Sequence, residues 1–314
     1  MLPNKQLIAK ADLALSELQS NGGALPEAKA KQFVEIMIKK GVLTSMARVI
    51  PMAGYQQTVD KIRFPSRIMR AGSAGIALSE ADRSKPELSK VSLEAKLWKA
   101  EVQLDDEILE DNIEGEELQN HIVSLVAERM GADTDDILIN SDSTDNTLDP
   151  ELRLFNGMLK AVTTNTVSAG GTVLTKDVLK QTRKAMPIEF QGNPAELKFF
   201  TSVNAVTEYG DGLADRMTGL GDAALQNAGQ IRYMATEVMP VPYFPEDLGG
   251  SDDETAVILT HPKNLVVGLW RKIRVEMERS ARHGTNIIVA SVRMDFKYEH
   301  EPAVVKTTGV KVSA

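Results

Sequence analysis

Hydrophobic positions in the first forty residues recur at helical spacing. Leu7, Ala11, Leu15 and Leu18 share one face of residues 5–19, which predicts an amphipathic helix broken by Asn21-Gly22-Gly23. A second helix opens at Pro26, carries Phe33, Ile36 and Met37, and stops at Gly41. From Met46 the period falls toward two. Residues 46–52 (MARVIPM) and 56–64 (QQTVDKIRF) read as extended segments separated by Ala53-Gly54-Tyr55. Residues 67–90 are small and polar and show no sustained period. In 91–104, Val91, Leu93, Ala95 and Leu97 alternate on one face, then Trp98, Ala100, Val102 and Leu104 on the other, and this phase switch predicts a bulge near Leu97-Trp98. Two extended runs joined by a long irregular middle predict a protruding hairpin. A compact domain seldom carries about 20 structureless residues without a purpose, and this tip holds too few apolar residues to fold back on its own subunit.

Residues 105–113 read as a short helix, interrupted at Gly115. Residues 116–140 hold the longest helical pattern, with Leu118, Ile122, Leu125, Val126, Met130 and Ile137 on one side. That helix would run on the order of 36 Å, and Glu116 and Glu117 suit its first turn. A polar loop fills 141–152. Helices and strands then alternate: Thr175 caps a helix through Met186 that Pro187 stops, 197–201 is a strand, Ser202 caps a short helix, and 211–229 is Gly-rich and irregular. Strands are expected at 231–241, 256–260, 264–280, 285–300 and 303–310. The class is α+β, with no internal repeat.

Composition narrows the function more by exclusion than by motif. The chain has 314 residues, no cysteine, and 44 acidic against 36 basic side chains, a net charge of −8. Without cysteine there are no disulfides, thiolate metal sites or cysteine nucleophile. The net charge argues against a protein whose main surface clamps nucleic acid. The N-terminus lacks a signal-peptide pattern and no apolar run is long enough to span a membrane, so a soluble chain of a cytoplasm-like compartment is expected.

The charge is unevenly spread. Residues 61–100 hold nine basic residues and four acidic ones, whereas 101–151 hold seventeen acidic residues and only Arg129 as a base. A basic hairpin thus precedes an acidic helix. Such segments pair within a chain, pair between chains, or stay as separate solvated faces, since exposed pairs are individually weak; pairing between chains would steer association and fix register. The candidate contact residues are Arg67, Arg70, Arg83, Lys85, Lys90 and Trp98 on the hairpin, with Glu110, Asp111, Glu116 and Glu117 on the acidic side.

No catalytic constellation accompanies these charges. GLGDAA at 219–224 matches a dinucleotide-loop string, but no strand–turn–helix surrounds it. His121, His261, His283 and His300 lack metal-ligand spacing. Asp133, Asp135 and Asp136 read as a solvated helix end, and Asp142, Asp145 and Asp149 lack the calcium-loop pattern. Trp98 and Trp270 read as core or interface anchors. Neither a catalytic residue nor a metal or cofactor is expected.

The order of parts carries a resemblance. A helical arm, a long basic hairpin, a long acidic helix, a mixed region and closing strands follow one another as in the major capsid proteins of tailed bacteriophages, the Hong Kong 97-like fold. Residues 91–142 (VSLEAKLWKAEVQLDDEILEDNIEGEELQNHIVSLVAERMGADTDDILINSD) resemble that family's returning hairpin strand, short helix and spine helix. Residues 260–284 (THPKNLVVGLWRKIRVEMERSARHG) resemble its late axial strands, and 287–309 (IIVASVRMDFKYEHEPAVVKTTG) its closing peripheral strands.

The resemblance implies an N-terminal arm at 1–50, an E-loop at 51–104, a peripheral domain with the spine helix at 105–150, an axial domain at 151–284 and closing peripheral strands at 285–314. It also implies pentamers and hexamers of an icosahedral head enclosing double-stranded DNA without sequence-specific binding. The implied partners are further copies of the chain, a portal, a decoration protein and, because only about fifty residues precede the hairpin, a separate scaffolding protein. The founding member's Lys–Asn cross-link positions are not assigned to residues of this chain, Lys85 and Lys90 near the hairpin tip being only weak candidates, and no cross-link is predicted. An encapsulin, a bacterial shell that holds enzymes, is the alternative within the fold. A soluble hydrolase using the 133–149 acids is the distant alternative outside it.

Overall fold

The computed structural model describes residues 41–64, 67–72, 75, 77–105, 116–214, 231–249, 253–270, 274–280 and 282–313. The helices expected at 5–19, 26–41 and 105–113, and most of the Gly-rich 211–229 stretch, lie outside these residues. The strands form a five-stranded sheet, a six-stranded sheet and a two-stranded arm.

The five-stranded sheet is organised by β12 (Thr285–Tyr298). One edge of β12 carries β4 (Lys96–Asp105), antiparallel from Met294↔Lys96 to Thr285↔Asp105. Its other edge carries β10 (Leu265–Trp270) and then β11 (Arg274–Ser280). Strand β1 (Arg48–Met52) lies parallel to β10 at the margin. Across one face runs the long helix, α2 (Glu116–Asn140), whose Ala127, Met130 and Ile137 share a core with Ile288, Val292, Met294 and Phe296.

The six-stranded sheet has the order β5-β13-β9-β6-β8-β7, with β5 Thr166–Val173, β6 Lys198–Thr201, β7 Arg232–Tyr233, β8 Thr236–Pro240, β9 Glu254–Thr260 and β13 Val305–Lys311. Strand β9 reads as an unbroken apolar run because both its faces are covered. Ala256 and Ile258 join the core beneath α2, while Val257 and Leu259 face a second core. That second core is built on α4 (Lys176–Ala185) and α5 (Val203–Ala214), through Val178, Leu179, Val206 and Tyr209. Two short helices complete the set, α1 (Val42–Met46) and α3 (Met158–Ala161).

Several expectations are corrected by this geometry. The long alternating run does not bulge at Leu97-Trp98. Strand β3 (Glu87–Glu94) pairs only with β2 (Gln56–Arg63); Ala95 then breaks the ladder, and β4 joins the core sheet. The phase changes because the strand leaves one sheet for another. Strand β3 also begins at Glu87, four residues before the alternation is visible. The expected strand at 231–241 is a hairpin of β7 and β8. Sheet membership also crosses the linear partition: β10 and β11 lie with β12, whereas β13 lies with β5 and β9. Thr175 precedes α4 but makes no side-chain cap bond, whereas Ser202 accepts from Ala205 N at 3.3 Å.

Of the 133–136 acids, Asp133 keeps a half-exposed carboxylate, as expected of a solvated helix end, but Asp135 does not. Asp135 is buried, and its carboxylate accepts from Leu43 N at 3.0 Å, Thr44 N at 3.1 Å and Thr44 Oγ1 at 2.6 Å. It therefore satisfies the free N–H groups at the start of α1 and ties the segment after residue 40 to α2. Gly41 lies so close that a Cβ there would sit 2.8 Å from Asp135 Oδ1. Asp135→Ala leaves two buried N–H groups and a hydroxyl unpaired, so a loss of about 2–3 kcal/mol is expected in urea unfolding, with a smaller loss for Asp135→Asn. A change under about 0.5 kcal/mol for Asp135→Ala would contradict this anchoring role.

Candidate inter-subunit surfaces

The β2–β3 arm is firmly held at one end. Its register runs from Gln56↔Glu94 at the root to Arg63↔Glu87. At the root, Leu93 and Ala95 are buried with Met52 and Val266. Gly268 of β10 leaves room for them, since a Cβ there would lie 2.7 Å from Met52 Sδ. Glu94 N donates to the buried Asp295 carboxylate at 2.7 Å, and Ala95 N donates to Tyr55 O at 2.9 Å. Burial pushes the Asp295 carboxyl above its ordinary range, against the hydrogen bonds it accepts.

Further out, β2 leans on its own subunit. Arg63 pairs with Glu189 at 2.7 Å and stacks over the Phe190 ring at 5.5 Å. Arg48 pairs with Glu299 at 3.0 Å beside it. Burial and the nearby Lys61 hold the His300 imidazole below its usual range, which disfavours a further cation in this basic corner.

From the Ile62–Leu88 pair outward, Arg63 aside, the arm has apolar and basic groups without cover. Ile62 and Leu88 form a cross-strand pair and are 70% and 71% exposed; Met69 is 84% exposed, and Phe64, Ile68 and Leu78 are also exposed. The tip is thus more apolar than the sequence pattern suggested, and these side chains extend a patch that water solvates poorly. Arg67, Arg70, Arg83 and Lys85 are exposed and pair with nothing among the described residues, while Lys90 lies 3.8 Å from Asp60 across the arm. The structure therefore gathers five of the candidate cations on one projecting element.

The other candidates fall elsewhere. Trp98 is buried in the main core, edge-to-face with Phe155 at a ring separation of 5.6 Å. It points inward because β4 has already joined the core sheet, so it is a packing residue and not a surface contact. Glu110 and Asp111 lie outside the described residues. Glu116 and Glu117 begin α2, but their side chains also lie outside the description. The later acids of α2 are engaged within the subunit: Asp133 with Arg129 at 2.9 Å, Asp136 with Asn140 at 2.6 Å, and Asp135 as above.

The acidic loop after α2 is a pair of side-chain turns. Asp142 Oδ1 accepts from Thr144 N and Oγ1, and Asp145 Oδ1 accepts from Thr147 N and Oγ1. These two D-x-T units explain the acids without a cation, and no metal-holding group of His, Asp or Glu occurs among the described residues. Of the histidines, His261 accepts from Lys263 N in a tight turn, and the side chain of His121 lies outside the description. GLGDAA lies outside it as well.

With its arm, long helix and two sheets, the fold is that of Hong Kong 97-like capsid proteins. A chain of the satellite phage P4 procapsid that includes the size determination (Sid) protein superposes with a TM-score of 0.69 at 13% identity, over 99% of this chain and 98% of that one. A chain of the holo-SrpI encapsulin complex from Synechococcus elongatus PCC 7942 superposes with a TM-score of 0.60 at 14% identity, over 87% and 88%. No family model matches the sequence. The putative prophage capsid protein YqbE of Bacillus subtilis (strain 168) is 36% identical over 311 residues, covering 98% of this chain and 99% of that one. The chain belongs to this family of phage capsid proteins.

One charged contact is open to a direct test. Lys160 lies 2.8 Å from Asp142. Although loss of hydration opposes ionisation of Asp142, the hydrogen bonds from Lys160 and Thr144 hold its carboxyl down at about 2, against an ordinary 3.8. A depressed folded-state value stabilises the fold above the unfolded value and loses that contribution as pH falls through the folded one. With the pair near the surface, solvent screening weakens the effect, and Asp142→Asn is expected to cost about 1 kcal/mol at pH 7, with the difference from the parent vanishing between about pH 4 and pH 2. Urea midpoints across that series check it; a difference independent of pH would contradict it.

Proposed function

We propose that many copies of this chain assemble into the pentamers and hexamers of an icosahedral phage head enclosing double-stranded DNA. The observation that carries this reading is the full-length relationship to a prophage capsid protein, joined to an arm whose root is fixed and whose outer half is uncovered. In this reading the β2–β3 arm is the E-loop and lies over a neighbouring subunit, residues 1–50 form the N-terminal arm, and α2 is the spine helix. The sheet around β12 belongs to the peripheral domain and the sheet around β9 to the axial domain. A separate scaffolding protein, a portal and a decoration protein are the further partners, and the DNA is enclosed by a net negative wall without sequence-specific contacts.

A shell is a structural role, and several acids among the described residues serve structure in caps, turns and ion pairs, as Asp135, Asp142, Asp145 and Asp133 do. The second reading, an encapsulin-type compartment, is favoured by the superposition on the encapsulin chain. Particles purified from cells separate the two, since a phage head needs portal and packaging partners to fill with DNA, whereas an encapsulin holds a cargo enzyme.

Negative-stain microscopy of the expressed chain, with its scaffolding partner where required, is expected to show closed particles or capsomers of uniform size. A small monodisperse oligomer alone would overturn the reading. The arm's cations are expected to face acids of the neighbour, so the combined Arg67→Glu, Arg70→Glu and Lys85→Glu substitutions should lower particle yield at least about tenfold. Because all three are exposed, the thermal midpoint of the free subunit should stay within about 2 °C. Normal particles with unchanged salt resistance would contradict the electrostatic contact.

A further inference from the structure

Among the described residues, three that are not glycine have positive φ: Met234 at 47°, Ala235 at 68° and Tyr243 at 63°. All three flank β8. Side chains tolerate this left-handed region poorly, and such strain persists where the surroundings or a function demand it. At the start of β8, Met234 and Ala235 form the two-residue turn from β7, a geometry that Asn-Gly or Asp-Gly normally fills. Here the turn instead raises a methionine that is 69% exposed. The turn is braced from below by Arg183 Nη1, which donates to Met234 O at 3.1 Å.

At the far end of β8 the chain folds into a receiving shape. Val203, Pro242, Tyr243 and Phe244 wall a concavity of about 470 Å³, with Glu246 and Asp247 at its rim. Tyr243 is held in its strained conformation by Asn140 Nδ2, which donates to its carbonyl at 3.1 Å. The concavity is shallow and open to solvent on its outer side. Its charge is complementary to the knob's: Glu246 and Asp247 line the hollow, while the Arg183 guanidinium lies against the methionine. Strand β8 has five residues, which places knob and hollow on the order of 17 Å apart. A subunit therefore cannot fill its own hollow with its own knob. A knob and a hollow at different places on one molecule make a head-to-tail contact, which closes a ring when the rotation between copies divides a full turn.

We propose that Met234 of one subunit seats in the Val203–Tyr243 hollow of the next copy around a capsomer, and that the strained turns flanking β8 exist to present this contact. The inference rests on the shell reading and adds the residues of one ring interface to it. Because the chain has no cysteine, a disulfide trap is unambiguous. Full-length chain carrying both Met234→Cys and Val203→Cys, oxidised after assembly, is expected to run on a denaturing gel as a ladder ending at closed rings of five or six and to collapse on reduction. Either single variant should stay monomeric. Met234→Gly, which suits the positive φ, should keep or raise the thermal midpoint of the subunit yet lower particle yield at least about fivefold. The inference is overturned if the doubly substituted shells stay monomeric after oxidation, or if Met234→Gly assembles as well as the parent. If parent shells form and only the cross-links fail, this contact alone is wrong; if the parent forms no shells, the shell reading falls and the contact with it.

Discussion

Strand β12 receives β4 along one edge and β10 and β11 along the other, and the arm, the core and the long helix all depend on that arrangement. Because β4 continues directly from β3, the pairing of β4 with β12 fixes where the arm leaves the body. Glu94 N on Asp295 reinforces the exit, since that carboxylate sits on β12 itself. The alternating inward residues of β12, from Ile288 to Phe296, supply the floor on which α2 packs. A fourteen-residue strand can carry these duties only because it is long enough to serve different neighbours along different stretches of each edge. The result is a rigid body from which one slender element projects.

Much of this order is legible in the sequence. The apolar spacing of 116–140, the period-two runs of the arm and the continuous strands near the C-terminus all announce themselves, because each buries a face with a regular period. What stayed hidden had no period to show. Helix α1 is five residues long and is held by tertiary partners, the Asp135 carboxylate about ninety positions away and the core that takes Leu43. Strand β5 (TVSAGGTV) is half exposed and interrupted by two glycines, so its alternation is faint. The β7–β8 turn consists of Met-Ala, residues that normally argue against a tight hairpin. Sheet membership could not be read either, since nothing in β10 (LVVGLW) or β13 (VKTTGVK) names the strand that each meets.

The charge pattern is a further case in which the linear reading and the folded arrangement diverge. As a sequence, 101–151 is one acidic block. Folded, its described members divide among private tasks: a buried cap at Asp135, an ion pair at Asp133, and turn carboxylates at Asp142 and Asp145. The basic block keeps its character, because Arg67, Arg70, Arg83 and Lys85 project from the arm into water. Trp98 moves from candidate contact to core. In its place the arm offers Ile62, Leu88 and Met69, so the surface it presents combines cations with apolar area. In the proposed shell, burial of that area would be the larger source of affinity, and the cations would set register and salt dependence.

The central claim is that the arm is fixed at its root by its own subunit and completed at its tip by another. Amide hydrogen exchange across residues 56–94, compared between free subunits and closed particles, tests it most directly. The account predicts that amides beyond Arg63, around Ile68 and Met69, exchange at least about tenfold more slowly in particles, while Glu94 at the root is already protected in the free subunit. Equal exchange of the tip amides in both states would contradict it.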